Sequence, residues 1–162
     1  MIFVMLGTNP YPFSRLLLAV DGWAQQSGER VIAQVGHTSV DVDHVECHDF
    51  VAHDRIMGWI REAEVVVSQG GFGSLRDCLR SGKPTVAVPR LRELGECQDE
   101  QSEIVRALEA EGRVVALYDV AELAGAIEEA RHRPAVEPYQ SRIPSIVESA
   151  VSESLKQKRR GA

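Results

Sequence analysis

The chain reads VVVSQGGFGSLRD from residue 65 to residue 77, and this stretch decides the fold class. It starts as a short run of β-branched residues, which is typical of a buried strand. Ser68 and Gln69 lead into three glycines, and after them Leu75, Cys78 and Leu79 have the spacing of one helix face. A strand that turns sharply into a helix is the repeating unit of parallel α/β sheets.

The same alternation of strand and helix extends along most of the chain. Apolar runs predict strands at residues 2–6, 30–35, 64–68, 85–88 and 113–117, with a weaker pattern at 44–51. Helical spacing occupies residues 12–27, 54–62, 72–81, 97–111 and 119–131. Strands that are apolar on both faces and separated by helices predict a doubly wound, Rossmann-like parallel sheet.

Residues at the predicted helix ends agree with this pattern. Gly28, Gly82 and Gly112 stand where helices are expected to end, because glycine readily adopts the left-handed conformation that terminates a helix. Asp119 is placed to cap the start of the last helix.

A change of pattern marks the end of the domain. We expect a Rossmann-like domain over residues 1–133 and a C-terminal extension over residues 134–162. Three prolines interrupt this extension, and an apolar stripe predicts a final helix at residues 145–158. That helix either packs on the domain or binds a partner.

Composition and charge exclude several classes of protein. The chain has 162 residues and a formal net charge of -6, which argues against a nucleic-acid partner because phosphate binding needs clustered Lys and Arg. Its three cysteines form no C-x-x-C pair, so neither a disulfide framework nor a zinc clip is predicted. Without a basic leader or an apolar run of about 20 residues, we expect a cytoplasmic chain that does not itself span a membrane.

The glycine turn at residues 69–74 has the properties of a phosphate site. Glycine lets backbone N–H groups approach an anion, and a helix start offers unpaired N–H groups with partial positive charge. Ser74 adds a hydroxyl, and Asp77, three residues further on, can accept hydrogen bonds from a sugar. A plain strand-to-helix turn explains the glycines equally well, so the motif alone does not decide.

A second glycine turn, Leu6-Gly7-Thr8, follows the first predicted strand. If the first and fourth strands are neighbours, both turns open at the carboxyl edge of the sheet, where doubly wound folds bind ligands. Neither turn has the G-x-G-x-x-G pattern, and the sequence has no Walker pattern. A dinucleotide site is therefore not favoured.

Three motifs together resemble the donor-binding signature of GT-B nucleotide-sugar glycosyltransferases. They are QGGFGSLRD at residues 69–77, GKPTVAVP at 82–89, and the pair Glu100-Gln101. The start of the chain is similar to one branch of these enzymes, in which the donor-binding half is a separate short polypeptide. That branch comprises the PssE-like subunits of bacterial exopolysaccharide and capsule synthesis and the eukaryotic subunit that adds the second N-acetylglucosamine to dolichol-linked oligosaccharide. The similarity covers residues 1 to about 131.

The resemblance implies a role for each matching residue. The diphosphate is expected at Gln69, Gly70, Gly71, Gly73 and Ser74 with Thr8 nearby, the ribose at Asp77, and the donor-sugar hydroxyls at Glu100 and Gln101. Relatives usually have His at position 69, and Gln still donates a hydrogen bond there but carries no charge. Asp77 is shorter than the commoner Glu, and Glu100 replaces the commoner His or Asn, which indicates an unusual donor sugar.

The same resemblance implies an inverting transfer from a UDP-sugar to a lipid-linked glycan acceptor, without a metal or other cofactor. A PssD-like, membrane-anchored partner subunit is expected to complete the site and to hold this chain at the inner face of the membrane. In full-length relatives the base lies largely on the other half of the GT-B fold, so none is named here. The alternative is a non-catalytic nucleotide-sugar-binding or regulatory module, which the departures at Gln69 and Glu100 favour.

Two further groups of polar residues contain side chains that can bind ligands. Residues 41–53 contain three histidines, three aspartates and one cysteine, but their strand and loop spacing does not indicate a metal site. Arg90 and Arg92 follow Pro89 in a polar loop, where we expect a solvated surface. Because that loop would lie beside the donor, both arginines are secondary candidates for contact with the partner or an acceptor phosphate.

Overall fold

Short runs rich in Val and Ile form one parallel sheet in this computed structural model, which describes residues 1–134. Its strands are β1 Ile2–Met5, β2 Val31–Gln34, β3 Glu46–His48, β4 Val65–Gln69, β5 Thr85–Val88 and β6 Val115–Ala116. All four residues of β1, β2 and β5 and all five of β4 are buried. This burial on both faces explains their continuous apolar sequences.

The order of the strands places β1 and β4 side by side at the centre of the sheet. The full order is β3-β2-β1-β4-β5-β6. β1 and β4 pair in register from Ile2 opposite Val65 to Met5 opposite Ser68. The chain moves outward in one direction from β1 and in the other from β4, which creates a topological switch point. The predicted doubly wound fold is confirmed, and both glycine turns leave the same edge.

Helices cover both faces of the sheet. They are α1 Ser14–Ser27, α2 His53–Glu62, α3 Phe72–Ser81, α4 Ser102–Ala110 and α5 Leu123–His132. Successive strand residues point to opposite faces, so Val4 and Val67 pack with α1 and α5, whereas Phe3 and Val66 pack with α2 and α3. Ala87 contributes to a smaller cluster with α3 and α4.

The three glycine helix ends are confirmed, whereas the predicted Asp119 cap of the last helix is not. Gly28 and Gly82 adopt the left-handed conformation directly after α1 and α3. Gly112 does the same, with φ of 68°, just after α4. Asp119 caps a short 3-10 turn, Val120–Glu122, rather than α5 itself, and its side chain accepts a hydrogen bond from the N–H of Ala121.

The fourth helix begins later than the sequence pattern predicts, at Ser102 instead of Cys97. Cys97 is held outside the helix, because its thiol donates a hydrogen bond to the Arg90 carbonyl, and the preceding residue, Glu96, accepts one from Leu91 N–H. The weaker pattern at residues 44–51 yields a strand of only three residues.

The predicted C-terminal extension, including its helix at residues 145–158, lies outside the described residues. The domain boundary at residue 133 therefore stays a prediction. None of the helices within residues 1–134 combines the length and the apolar character of a membrane span.

Candidate functional site

A cleft of about 430 Å³ opens at the carboxyl edge of the sheet, where β1 and β4 end. The residues predicted to bind the nucleotide sugar that line this cleft are Thr8, Gln69, Gly73, Ser74 and Asp77. The residues of its opposite wall are Phe50, Val51, His53 and Ile56. The topology therefore brings the two glycine turns to one crevice, as the sequence predicts.

The side-chain amide of Gln69 lies between two glycines of the cleft edge. A Cβ atom at Gly7 would stand 2.1 Å from Gln69 Nε2, and one at Gly71 would stand 2.8 Å from it. Neither distance is sterically acceptable. Gly7 and Gly71 therefore make room for this amide, a role that the sequence pattern does not indicate.

Gln34, the last residue of β2, fixes the turn after β1. Its Oε1 accepts a hydrogen bond from the N–H of Gly7, and its Nε2 donates to the carbonyl of Gly7, both at 3.0 Å. The same Nε2 donates to the carbonyl of Asp49 at 2.9 Å. Gln34 was missed in the sequence analysis, although a polar residue at the end of an apolar strand is a recognisable signal.

Helix α3 starts beside Gln69 without a side-chain cap. N–H groups in the first turn of a helix have no partner within the helix, so those of Phe72, Gly73 and Ser74 are available to an anion. A Cβ atom at Gly73 would meet open space, and the Ser74 hydroxyl lies 3.5 Å from Gln69 Nε2. Backbone and side-chain donors thus converge on one point of the cleft.

Asp77 lies one turn further along α3, and its side chain is 14% exposed. His53, the first residue of α2, approaches it across the cleft with Nε2 2.9 Å from Asp77 Oδ2. Arg76 pairs with the other carboxylate oxygen at 3.2 Å. The pair of His53 and Asp77 joins α2 to α3, and the distance of 24 positions between them hides it in the sequence.

Four predicted site residues lie outside the cleft lining: Gly70, Gly71, Glu100 and Gln101. Gly70 is closely packed, since a Cβ atom there would stand 2.9 Å from Val105 and 3.1 Å from Gln101 Cβ. Gln101 Oε1 accepts a hydrogen bond from the N–H of Arg90. Glu100 is exposed, and hydrogen bonds from Ser102 at the start of α4 lower the pKa of its carboxyl group.

Arg90 is not on a solvated surface, so that expectation is wrong. Its side chain is buried, with 1% of the residue exposed, and its guanidinium lies 4.6 Å from the centre of the Phe13 ring. It donates hydrogen bonds of 2.7–2.9 Å to Gln69 Oε1 and to the carbonyls of Leu6, Tyr11 and Glu96. Burial lowers the pKa of Arg90, and the negative charge of Glu96 opposes that shift. Arg92 is exposed, as expected.

A partly buried ion pair supports the same loop. Arg15 on α1 donates to the carboxylate of Glu96 at 2.8 Å and to the carbonyl of Pro89 at 2.7 Å. The Arg15 guanidinium lies 5.1 Å from the centre of the Phe13 ring. The loop after β5 is thereby attached to the start of α1.

The histidines of residues 41–53 contact acidic side chains. His44 lies 3.4 Å from Asp21, His48 lies 2.9 Å from Glu46, and His53 pairs with Asp77. Across residues 1–134, no group of three His, Cys, Asp or Glu side chains is arranged to hold a metal ion.

Comparison with known protein families identifies the family of this chain. The model of the glycosyltransferase family 28 C-terminal domain matches residues 1–156. The chain belongs to this family. The resemblance to GT-B glycosyltransferases is thus confirmed at family level. Membership of the narrower PssE-like branch stays a prediction for this family 28 domain.

Solved structures support the fold of the family 28 domain. The kitacinnamycin glycosyltransferase is similar with a TM-score of 0.65 and 20% identity, over 83% of this chain and 36% of that one. Acinetobacter baumannii MurG has a TM-score of 0.63 and 13% identity, over 94% and 49%. The Methanocaldococcus jannaschii UDP-GlcNAc 2-epimerase, solved with UDP-GlcNAc and UDP, has a TM-score of 0.61 and 12% identity, over 91% and 44%.

The family 28 domain spans less than half the length of each of these three proteins. No curated protein matches the chain.

The contact between Gly7 and Gln69 predicts the effect of a methyl group at position 7. Gly7 has φ of 79°, so Gly7→Ala forces alanine into the left-handed region at a cost of about 1–2 kcal/mol. The methyl group also collides with the Gln69 amide, which Arg90 holds in place. We expect the free energy of unfolding, measured by urea denaturation, to fall by at least this amount.

Gly22→Ala is the matched control, since Gly22 lies within α1 and a Cβ atom there has no tertiary contact within 4 Å. It should stabilise the protein by about 0.5–1 kcal/mol. Equal stability of the two variants would contradict the packing described here.

Proposed function

We propose that this domain binds a UDP-sugar in the cleft and acts as the donor-binding subunit of an inverting glycosyltransferase. The observation that carries the proposal is the convergence of the uncapped start of α3, the Ser74 hydroxyl and the Gln69 amide on one point. Asp77 stands one helical turn away, at a distance suited to the ribose next to a bound diphosphate.

The diphosphate is placed at Gly73 and Ser74, since Gly73 leaves open space where a larger residue would carry a side chain. When the acceptor hydroxyl attacks the anomeric carbon, the bond from that carbon to the diphosphate oxygen breaks and negative charge develops on UDP. Helix N–H groups directed at this charge stabilise the transition state. The proton of the acceptor hydroxyl passes to a base on the acceptor side.

The nucleoside is placed against the opposite wall. Its ribose hydroxyls reach Asp77, whose carboxylate is a hydrogen-bond acceptor. Beyond it, Phe50, Val51 and Ile56 provide an apolar surface for a flat base. The similar fold of an epimerase that was solved with UDP supports the choice of uridine.

The donor sugar is placed toward Glu100 and Gln101. Gln101 lies next to Gly70, at the base of the glycine turn. The exposed carboxylate of Glu100 can accept further hydrogen bonds from sugar hydroxyls. In this proposal the helix start and the Gln69 amide balance the charge of the diphosphate, and no metal ion takes part.

We further propose that a PssD-like, membrane-anchored subunit contributes the acceptor half of the site. Its lipid-linked glycan acceptor would place the complex at the inner face of the cytoplasmic membrane. The PssE-like features of the first residues support this branch. A non-catalytic nucleotide-sugar-binding module is the competing function, and it predicts UDP binding without transfer by the reconstituted pair.

Ligand choice provides the first test of the proposal. Calorimetric titration should detect binding of UDP, UDP-glucose, UDP-glucuronate or UDP-N-acetylglucosamine, and no binding of NAD, because the glycine turns lack the dinucleotide pattern. The absence of heat with every UDP compound, with the partner subunit present, would contradict the proposal.

A substitution at Asp77 tests the placement of the ribose. Asp77→Ala should weaken UDP binding by about 1.5–3 kcal/mol, the cost of losing a hydrogen bond to a charged group. Asp41→Ala is the control, since Asp41 is exposed and does not line the cleft. Unchanged UDP affinity of a folded Asp77→Ala protein would remove Asp77 from the site.

A further inference from the structure

The bond between Arg90 and Gln69 determines which way the Gln69 amide faces. Arginine has hydrogen-bond donors only, so its partner must present an acceptor. Arg90 Nε lies 2.8 Å from Gln69 Oε1. The NH₂ group of Gln69 must therefore point away from Arg90.

The direction away from Arg90 is the direction of the cleft. Gln69 Nε2 is the atom that lies closest to the positions where Gly7 and Gly71 would carry a Cβ, and it stands 3.5 Å from the Ser74 hydroxyl. Gln69 thus offers a donor, and not an acceptor, at the place where the diphosphate is expected. With the opposite amide orientation, a carbonyl oxygen would face the anion.

We infer that Arg90 is a positioning residue for the diphosphate and acts through Gln69. The guanidinium holds the Gln69 amide with its NH₂ group toward the ligand. It also places a permanent positive charge on the side of the amide that faces away from the ligand. This inference rests on the proposed function, because it assigns the anion to the same cleft.

Burial makes this arrangement effective. Arg90 is 1% exposed and Gln69 is 8% exposed, so water screens little of the charge. A charged donor on Oε1 polarises the amide and strengthens its N–H groups as donors. In this way the neutral Gln69 amide stabilises the diphosphate partly through the positive charge of Arg90.

The contacts of Arg90 separate this role from a purely structural one. The other hydrogen bonds of its guanidinium go to backbone carbonyls of Leu6, Tyr11 and Glu96, which hold the surrounding loops. Gln69 is the side chain to which the guanidinium donates a hydrogen bond, and Gln69 lines the cleft. A change at Gln69 can therefore alter the ligand site while the loop contacts stay in place.

The decisive variant is Gln69→Glu in the 162-residue chain. Glutamate has the same shape and keeps an acceptor for Arg90, but it places a carboxylate oxygen where the NH₂ group was. We expect thermal stability and uridine affinity to be retained, and UDP affinity to fall by about 10- to 100-fold. Gln26→Glu, an identical change at an exposed position of α1, should bind both ligands like the native protein.

Arg90→Lys tests the guanidinium itself. Lysine keeps a charge but not the fork that holds Gln69 and the carbonyls together, so UDP affinity should fall more than uridine affinity. Should this variant not fold, the native protein still provides the test. In its NMR spectrum the Gln69 NH₂ and Arg90 Nε–H signals should shift with UDP and not with uridine.

These experiments distinguish a failure of the positioning role of Arg90 from a failure of the proposed function. If the native protein binds UDP while Gln69→Glu binds it equally well, or if neither signal shifts with UDP, the positioning role is refuted and the proposed function stands. If the native protein does not bind UDP, both are refuted.

Discussion

The buried guanidinium of Arg90, at the carboxyl edge of the sheet, constrains the chain segments around it. An unpaired charge in such a place is strongly destabilising, so Arg90 has to be surrounded by acceptors. The acceptors come from the last residue of β4 and from the segments that follow β1 and β5. Through these hydrogen bonds Arg90 holds the three segments together beside the cleft at the ends of β1 and β4.

Much of the fold follows from the sequence, because the relevant signals are local. Short Val-rich runs, helical spacing and terminal glycines predict the strands, the helices and the parallel sheet, and the structure confirms them. The start of α4 was misplaced because tertiary contacts decide it. Hydrogen bonds from Leu91 to Glu96 and from Cys97 to Arg90 hold residues out of a helix that their local pattern favours.

The candidate site was predictable only in part, and for the same reason. The glycine turn, Ser74 and Asp77 lie within one continuous motif, so their proximity follows from a single helix. Gln34 and His53 reach the cleft from β2 and α2, and no local pattern connects them to it. The burial of Arg90 is likewise invisible in a polar loop sequence, because it depends on contacts with residues far apart along the chain.

The central claim is that the diphosphate of UDP lies at the start of α3. A crystal structure of the chain with UDP tests it most directly. The account predicts phosphate oxygens within hydrogen-bond distance of the N–H groups of Gly73 and Ser74, with the Gln69 NH₂ group directed toward them and the ribose beside Asp77. UDP bound elsewhere, or phosphates that point away from α3 into solvent, would contradict it.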